Sequence, residues 1–376
     1  MRIVKLSKPY INQEAINGVI EVLQSGWLTQ GPKVALFEES FKKYLGASCA
    51  LAVNSATSGL HIALLSLGVG VGDEVILPSF TWVATANVVE QCGAKPVFVD
   101  IDLATFNTNL DQVLSKISEK TKAIIIVHLF GKPFDIEELK IKLPRSIPII
   151  EDAACAAGAS INNQYCGMMG NVGVYSFHPR KSITTGEGGM VVTNINDIYK
   201  KMNMLRNHGQ DVSYKEETPS FMFDCPIVGF NYRMTDFQAV LGLEQFKDID
   251  KLIQYRDSLA SRYYMNLNKI LGIALPIQEN MEKHSWQSYV ILILDLSLRE
   301  KIMLGLTKFG IETRPGTHAV HLLKYYKDRY DLNPEDFPCA YQAFRSSIAL
   351  PLHNGMTIED IDYVSEKLAE VIYALQ

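Results

Sequence analysis

Lys181 lies in a short segment, SFHPRKSITTGEGG (176–189), that is rich in glycine and hydroxyl-bearing residues. The apolar run VGVYSF (172–177) leads into this segment, and the run GMVVTN (189–194) follows it. Glycines let the backbone pack closely around a bound group. Burial of a lysine favours its neutral amine, which is a nucleophile toward aldehydes. The segment therefore indicates a lysine that bonds to a carbonyl ligand, although one lysine in a turn is more commonly just solvated.

Three other segments carry groups that such a ligand could use. Asp152 ends the apolar run IPIIED (147–152), and ligand sites in open α/β sheets lie beyond the carboxyl ends of the strands. NSATSGLHIAL (54–64) places small and hydroxylic residues before a helix, where converging backbone N–H groups suit a phosphate. PSFTWVATAN (78–87) presents Trp82, whose flat ring could stack on a planar ligand.

Each of these features also has an ordinary structural explanation: an acid that caps a helix, a capped helix without a ligand, and a tryptophan in the core. Their coincidence with the lysine favours a common site, because pyridoxal phosphate needs an amine, an acid, a phosphate cradle and a flat ring beside it. The chain has no GxGxxG motif and no Walker lysine, so a dinucleotide or nucleoside triphosphate has little support. The sequence predicts pyridoxal 5'-phosphate as the cofactor.

The elements that would position these groups alternate along the chain. From about residue 50 to 195, short apolar runs alternate with helix-like stretches, which predicts an α/β domain with a mainly parallel sheet. Runs such as AIIIV are almost continuously apolar, as expected for strands covered on both faces. The six predicted strands are EVILP (74–78), KPVFVD (95–100), AIIIVHLF (123–130), IPIIED (147–152), VGVYSF (172–177) and GMVVTN (189–194).

Helices are predicted from apolar residues spaced three and four apart. Ser55 and Thr57 are alternative N-caps for the helix that contains Leu60. From Thr235 to about Leu271 the pattern predicts one long helix, broken at most by a bend, and we expect a domain boundary near residue 245 inside it. The expected domains are a large domain over 1–245 and a small one over 246–376. Other predicted elements are a helix with Val34, Phe37, Phe41 and Leu45 on one face, a strand SYVILILDL (288–296), and a final helix with Ile361, Val364, Leu368 and Ile372 on one face.

Composition and charge exclude several classes of protein. The net charge of the 376 residues is −5 and the basic residues are scattered, so we expect no nucleic-acid partner and no anionic membrane surface. The N-terminal MRIVKLSKPY lacks the apolar core of a signal peptide, and no apolar run approaches membrane-spanning length. These features favour a cytoplasmic protein.

The cysteines show no metal-binding spacing, and we expect no metal site. In a chain of this length they are interpreted as buried thiols of a reducing compartment. They are Cys49, Cys92, Cys155, Cys166, Cys225 and Cys339.

Segments along nearly the whole chain resemble the sugar aminotransferases of the DegT/DnrJ/EryC1/StrS family, within fold type I of the pyridoxal-phosphate enzymes. The lysine segment and NYRM are highly specific in combination. The resemblance implies a large domain with a mostly parallel mixed sheet between helices, and a smaller C-terminal α+β domain. The matching segments are LTQGPKVALFEESFKKYLG (28–46), NSATSGLHIAL (54–64), LPSFTWVATAN (77–87), EDAACAAGA (151–159), SFHPRKSITTGEGG (176–189), GFNYRMTDFQAVLGL (229–243), DFPCAYQAF (336–344) and ALPLH (349–353).

The resemblance implies roles for the residues that would contact the cofactor ring. Lys181 would form the internal aldimine, and Asp152 would pair with the pyridine nitrogen. A carboxylate there keeps the nitrogen protonated, so the ring accepts electrons when the substrate loses its Cα proton. Trp82 would stack on the ring face. Cys155 stands where many members have Gln or His, and a thiol is a poorer hydrogen-bonding partner for the ring oxygen.

The resemblance also implies a phosphate site and a subunit interface. Ala56, Thr57 and Ser176 match phosphate-binding positions, the first through its backbone. Asn231 matches a residue that reaches the phosphate from the neighbouring subunit, which implies an obligatory homodimer with the active sites at the interface.

The implied reaction transfers an amino group from L-glutamate to a nucleotide-linked keto-deoxysugar, with a 4-keto sugar favoured over a 3-keto sugar, in amino-sugar or surface-polysaccharide biosynthesis. Dehydratase relatives carry histidine in place of the lysine, and this chain keeps Lys181. The candidate substrate-binding residues are Arg233, Arg314, His318 and His321.

Other functions stay open at this point. A keto-cyclitol or a keto-sugar acid could be the amino acceptor. A regulatory protein could bind pyridoxal phosphate or a sugar nucleotide without turnover, although it would not need both Asp152 and Lys181. A dinucleotide-dependent epimerase or dehydratase is a further alternative, which the missing glycine motif disfavours.

Overall fold

The computed structural model describes residues 2–211, 224–279 and 281–375. Its α-helices are α1 (Gln13–Ser25), α2 (Pro32–Leu45), α3 (Ala56–Ser66), α4 (Ala84–Gln91), α5 (Leu110–Ser115), α6 (Ile136–Lys142), α7 (Asn196–Arg206), α8 (Asp236–Phe246), α9 (Ile249–Leu267), α10 (Arg299–Lys308), α11 (Lys324–Tyr330), α12 (Pro338–Ser346) and α13 (Ile358–Leu375).

The strands are short, and six of the fifteen in the described ranges have only two residues. They are β1 (Cys49–Val53), β2 (Glu74–Pro78), β3 (Phe80–Thr81), β4 (Lys95–Val99), β5 (Thr121–Val127), β6 (Ile149–Asp152), β7 (Ser160–Ile161), β8 (Gln164–Tyr165), β9 (Val172–Ser176), β10 (Gly189–Thr193), β11 (Ile273–Ala274), β12 (Glu282–Lys283), β13 (Tyr289–Ile293), β14 (His318–Ala319) and β15 (Ser347–Leu350).

A seven-stranded sheet forms the centre of the larger part of the molecule. Its strand order is β1-β10-β9-β6-β5-β2-β4. The pairs from β9 through to β4 are parallel, whereas β10 is antiparallel to both of its neighbours. The strand β10 therefore begins at the edge of the sheet where the other six strands end. This mixed, mostly parallel sheet confirms the predicted α/β class.

Both faces of this sheet are covered by helices. Ile124 and Ile126 of β5 are buried in one apolar cluster, while Ile125 and Val127 are buried in another on the opposite side. Alternate side chains of a strand point to opposite faces, and here both faces are buried. This explains the almost continuous apolar run that the sequence shows. Each of the six predicted strands forms, and its observed bounds differ from the prediction by at most two or three residues at an end.

The predicted helices form with small changes at their ends. Ser55 is the N-cap of α3, and its side chain accepts a hydrogen bond from the Ser58 N–H. The apolar residues predicted for one face of α2 are all buried. The long helix expected from Thr235 is divided into α8 and α9 by two residues, and α9 ends at Leu267. The apolar face continues across the division, since Phe246 and Ile249 are both buried.

The C-terminal part of the chain has an apolar cluster of its own, built from α9, α10, α13 and the antiparallel sheet β11-β13-β15. Val4 joins this cluster, and its backbone pairs with Ile311. The predicted division at residue 245 stays a prediction. None of the helices in the described ranges is long and apolar enough to cross a membrane.

The cysteines require a correction. All six are free, but only Cys166 is buried, while Cys225 is exposed and the others are half-buried. The expectation of uniformly buried thiols was wrong because a small side chain at a helix end or in a loop, as at Cys92 and Cys225, need not face a core.

Candidate active site

The chemically significant segments meet at one edge of the central sheet. Asp152 is the last residue of β6, and Lys181 lies in the connection that leaves β9 and enters β10. Helix α3 begins three residues after β1, and Trp82 follows β2 by four residues. Because six strands end at this edge and β10 begins there, the topology gathers residues that are far apart in the sequence.

Internal hydrogen bonds hold the connection that carries Lys181. The Lys181 N–H donates to the His178 carbonyl (2.9 Å), and the Thr184 hydroxyl donates to the Phe177 carbonyl (2.8 Å). The buried Gln245 side chain of α8 accepts from the Thr184 N–H (3.1 Å) and donates to the Thr184 carbonyl (2.8 Å). This two-point contact fixes the loop against the helix layer. Gln245 was not among the predicted site residues.

The Lys181 side chain is half-buried, and its ammonium or amine nitrogen lies 3.1 Å from the Cys155 sulfur. Cys155 follows Asp152 by three residues, and its carbonyl accepts a hydrogen bond from the Ser285 hydroxyl (2.8 Å). The structure therefore brings the predicted nucleophile and the predicted ring-oxygen contact together.

Asp152 is a buried carboxylate with two hydrogen-bond donors. The Thr85 hydroxyl donates to Oδ2 (2.9 Å), and the Ala154 N–H donates to Oδ1 (3.1 Å). Burial raises the pKa of Asp152, and these two hydrogen bonds and the charge of Lys181 oppose that rise. A buried anion of this kind is stabilised by a cationic partner. Thr85 was missed in the sequence, although it lies three residues after Trp82.

Glu151 is a second buried acid, and its hydrogen-bond network includes the backbone of Asp152. His128 Nε2 lies 2.8 Å from Glu151 Oε2, and His128 Nδ1 accepts from the Phe134 N–H (3.0 Å). Since Nδ1 is an acceptor, Nε2 carries the proton and donates a hydrogen bond to Glu151. Glu151 also accepts from the Gly167 N–H (2.6 Å), and the His128 N–H donates to the Asp152 carbonyl (3.1 Å). This network fixes the end of β6.

The start of α3 forms a cradle for an anion. Ala56 and Thr57 are half-buried, and the N–H groups of a first helical turn have no acceptor within the helix. A Cβ atom at Gly189 would lie 2.8 Å from the Ala56 nitrogen and 2.8 Å from the Tyr175 carbonyl oxygen. Only glycine therefore lets the helix start approach the sheet so closely. Ser176 ends β9 beside this point and is half-buried.

Trp82 is 57% exposed, so its side chain is accessible from solvent. Its centroid lies 5.3 Å from that of His318 at an interplanar angle of 48°. His318 reaches this position because β14 pairs with β3, which aligns His318 with Thr81. The structure thus brings the predicted stacking residue and one predicted substrate residue together.

Asn231 and Arg233 lie in one extended segment next to the start of α3. The Asn231 side chain is exposed, and the Asn231 backbone carbonyl accepts a hydrogen bond from the Asn54 side-chain amide (3.5 Å). Arg233 pairs through its backbone with Val53, and its guanidinium donates to the Asn207 side chain. Arg314 is half-buried. Its pKa is lowered, mainly by burial and also by the nearby charge of Arg180.

His321 is the predicted substrate residue that the structure does not bring to the site. Its side chain has no exposed surface and stacks on Phe337, with ring centroids 4.6 Å apart. Both of its ring nitrogens are buried without a hydrogen-bond partner in the structure, and burial lowers its pKa to about 4.

This burial makes a prediction about stability against pH. Below pH 6.5 the unfolded chain protonates His321 while the folded chain does not until about pH 4, so the free energy of unfolding falls as pH falls through this window. We expect His321→Phe to reduce that fall by at most about 1.4 kcal/mol per pH unit. Urea unfolding at pH 7, 6 and 5 measures it. Parallel pH profiles for the two proteins would contradict the prediction; His284 and His353, whose pKa values are also lowered, contribute equally to both.

The arrangement fits pyridoxal phosphate. A half-buried amine at Lys181 lies near a buried acid at Asp152, the glycine at position 189 opens a cradle at a helix start, and Trp82 offers an exposed ring. Asp152 would hold the pyridine nitrogen, and the start of α3 would hold the phosphate. Within the described ranges no cluster of three or more His, Cys, Asp or Glu residues could hold a metal ion. The fold and the site define a pyridoxal-phosphate-dependent enzyme of fold type I.

Comparison with known proteins gives the family. The model of the DegT/DnrJ/EryC1/StrS aminotransferase family matches residues 9–369, and the chain belongs to that family. It is 35% identical to the GDP-perosamine synthase of Caulobacter vibrioides over 98% of both chains. The sugar aminotransferase Spr1654 of Streptococcus pneumoniae in its pyridoxamine-phosphate form, described as putative, superposes with a TM-score of 0.92 and 31% identity over 99% of both chains. Helicobacter pylori PseC, an aminotransferase of pseudoaminic acid biosynthesis, has a TM-score of 0.93 and 29% identity over 99% of this chain and all of its own. The protein is a pyridoxal-phosphate-dependent sugar aminotransferase.

Proposed function

We propose that this enzyme transfers the amino group of L-glutamate to a nucleotide-linked keto-deoxysugar, with the 4-keto sugar favoured, in the biosynthesis of a surface polysaccharide. The observation that carries the proposal is the Lys181 amine beside Asp152 at the sheet edge where α3 begins. Support for the sugar comes from the relatives, since one is a GDP-perosamine synthase and another acts in pseudoaminic acid biosynthesis.

The residues have distinct tasks in this proposal. Pyridoxal phosphate, when bound, supplies the electron sink that makes the substrate Cα proton acidic. Lys181 Nζ accepts that proton and returns it, because its side chain is tethered beside the reacting atoms. Asp152 keeps the pyridine nitrogen protonated. Trp82 and the start of α3 position the ring and the phosphate, and His318 contacts the acceptor from beside the Trp82 ring.

We include a homodimer in the proposal. The side chains of Ile16, Ile20 and Leu23 are 45%, 47% and 56% exposed and are spaced along one outer face of α1. An apolar face of this kind suits contact with another protein. The exposed Asn231 side chain is suited to reach the phosphate of a second subunit, as the family resemblance implies.

The test follows the cofactor spectrum of the loaded enzyme. L-glutamate should remove the visible absorption of the lysine-bound cofactor, and a nucleotide-linked 4-keto sugar should restore it at least ten times faster than the 3-keto sugar. Restoration by scyllo-inosose but by neither nucleotide sugar would overturn the assignment of the acceptor. A spectrum that no amino acid or keto sugar changes would favour a protein without turnover.

A further inference from the structure

Cys155 and Lys181 bring a thiol and an amine into direct contact. The Lys181 Nζ atom lies 3.1 Å from the Cys155 sulfur, and both residues are half-buried, so neither is sealed from solvent. Groups that are held roughly 3–3.5 Å apart are placed to form a bond with each other. The proposed function uses the amine but gives the thiol no reaction of its own.

The backbone around each of the two residues is held in place. The Cys155 carbonyl accepts a hydrogen bond from the Ser285 hydroxyl (2.8 Å), and a Cβ atom at Gly131 would lie 3.0 Å from that carbonyl oxygen. On the other side, the Lys181 N–H donates to the His178 carbonyl (2.9 Å). With both backbones fixed, only rotation of the side chains separates the sulfur from the nitrogen.

The surroundings of Cys155 are typical of a reactive cysteine. Cysteines that react with peroxides are partly exposed and lie among positive charges, because the thiolate is the nucleophile. Lys181 contacts the Cys155 sulfur, and Arg314 interacts with Cys155 electrostatically. Cys155 therefore has both the exposure and the charged neighbours that favour oxidation.

Cys49 shows what this arrangement adds. It is also half-buried and has a lysine nearby, Lys42, but burial raises the pKa of the Cys49 thiol. The Lys42 ammonium is held by the Glu39 carboxylate (2.5 Å), which raises the pKa of Lys42. Neither the thiolate nor the neutral amine is therefore favoured at this second cysteine.

Hydrogen peroxide supplies the oxidant for a bond between the two atoms. The Cys155 sulfur attacks one peroxide oxygen, the O–O bond breaks, and the products are a sulfenic acid and water. The neutral Lys181 amine then attacks the oxidised sulfur. An S–N bond forms, the S–O bond breaks, and the hydroxyl leaves as water with a proton from the amine. Two molecules of a thiol reverse the change and are themselves oxidised to a disulfide.

We propose that hydrogen peroxide links Cys155 to Lys181 through a reversible sulfur–nitrogen bond when the lysine is free of the cofactor, and that this bond switches the enzyme off. The inference rests on the proposed function, in which Lys181 Nζ bonds to pyridoxal phosphate and L-glutamate releases it. A nitrogen that is bonded to the cofactor cannot attack sulfur, so the loaded enzyme is protected. A nitrogen that is bonded to sulfur can neither hold the cofactor nor move the Cα proton.

The test treats the enzyme with hydrogen peroxide in three forms: loaded with cofactor, loaded and then converted by L-glutamate, and freed of cofactor. Mass spectrometry of the digested protein detects the linked peptides, whose mass is that of the separate peptides less two hydrogen atoms. We expect at least about tenfold more linked peptide in the second and third forms than in the first, because only there is the amine free to attack. The glutamate-converted enzyme should then fail to regain its visible absorption with 2-oxoglutarate, and dithiothreitol should restore that recovery.

Two variants complete the test. Cys155→Ser should give no linked peptide, and peroxide should not change its recovery with 2-oxoglutarate. Cys49→Ser is the matched control and should form the link as the wild type does. Oxidation of Cys155 to a sulfinic acid without any linked peptide would overturn the inference, as would equal sensitivity of Cys155→Ser to peroxide. Failure of the proposed function would appear differently, as linked peptide confined to the cofactor-free form and no spectral change with L-glutamate.

Discussion

Lys181→Ala should lower kcat by at least about a thousandfold and remove the visible absorption of the lysine-bound cofactor. The variant loses both the nucleophile that holds the cofactor and the base that moves the Cα proton. Its fold should persist, because the Lys181 side chain is half-buried and its hydrogen bond to the Cys155 sulfur is weak. Absorption spectra after dialysis and steady-state rates measure the two effects.

Two comparisons separate this role from a general effect of charge. Lys324→Ala removes the same charge from a side chain that is 91% exposed, and it should leave the spectrum and kcat unchanged. Methylamine should partly restore proton transfer in Lys181→Ala, because it can occupy the space of the missing amine. A dialysed variant that kept the original absorption band would show that another group holds the cofactor.

Much of the fold was predictable because a parallel strand that is buried on both faces has an almost continuous apolar sequence. Ile124, Ile125 and Ile126 are buried on alternating faces of the sheet, so each of these positions requires an apolar residue. The resulting apolar run locates the strand. The sheet edge then places Asp152 and Lys181 together, since residues at strand ends converge there whatever their separation in sequence.

Contacts between distant side chains were not predictable in this way. Thr85 donates to Asp152 across 67 positions, and Gln245 fixes Thr184 across 61. A local pattern contains no information about such partners, because a threonine or glutamine on a helix is usually solvated. His321 is a different case: the family resemblance places its loop near the active site, but the chain buries the His321 side chain against Phe337.

The division of α8 from α9 has a related cause. Periodicity detects which side chains face the core, and Phe246 and Ile249 both do. The two residues between the helices stay close to helical geometry, with Lys247 at φ −55° and ψ −28° and Asp248 at φ −106° and ψ 12°. A change this small leaves the apolar pattern intact, so the sequence could indicate a bend at most.

Asp152→Asn should lower kcat by roughly a hundred- to a thousandfold while preserving the fold. The amide has nearly the shape of the carboxylate. Its oxygen can accept from the Ala154 N–H, and its NH₂ group can donate to the Thr85 hydroxyl once that hydroxyl rotates. What is lost is the negative charge that keeps the pyridine nitrogen protonated. Rates with saturating glutamate and acceptor measure the effect.

Stability of the cofactor-free protein distinguishes a loss of charge from a loss of structure. Burial raises the pKa of Asp152 in the folded state above its unfolded value, so ionisation of this group costs stability as pH rises through the folded pKa. Removing the charge should therefore leave the free energy of unfolding at pH 7 unchanged or higher. Two results would contradict the assignment: an Asp152→Asn variant that unfolds more easily than the wild type, or one that keeps full kcat. The first would do so because a carboxylate that is buried to bind the cofactor lowers the free energy of unfolding when the cofactor is absent.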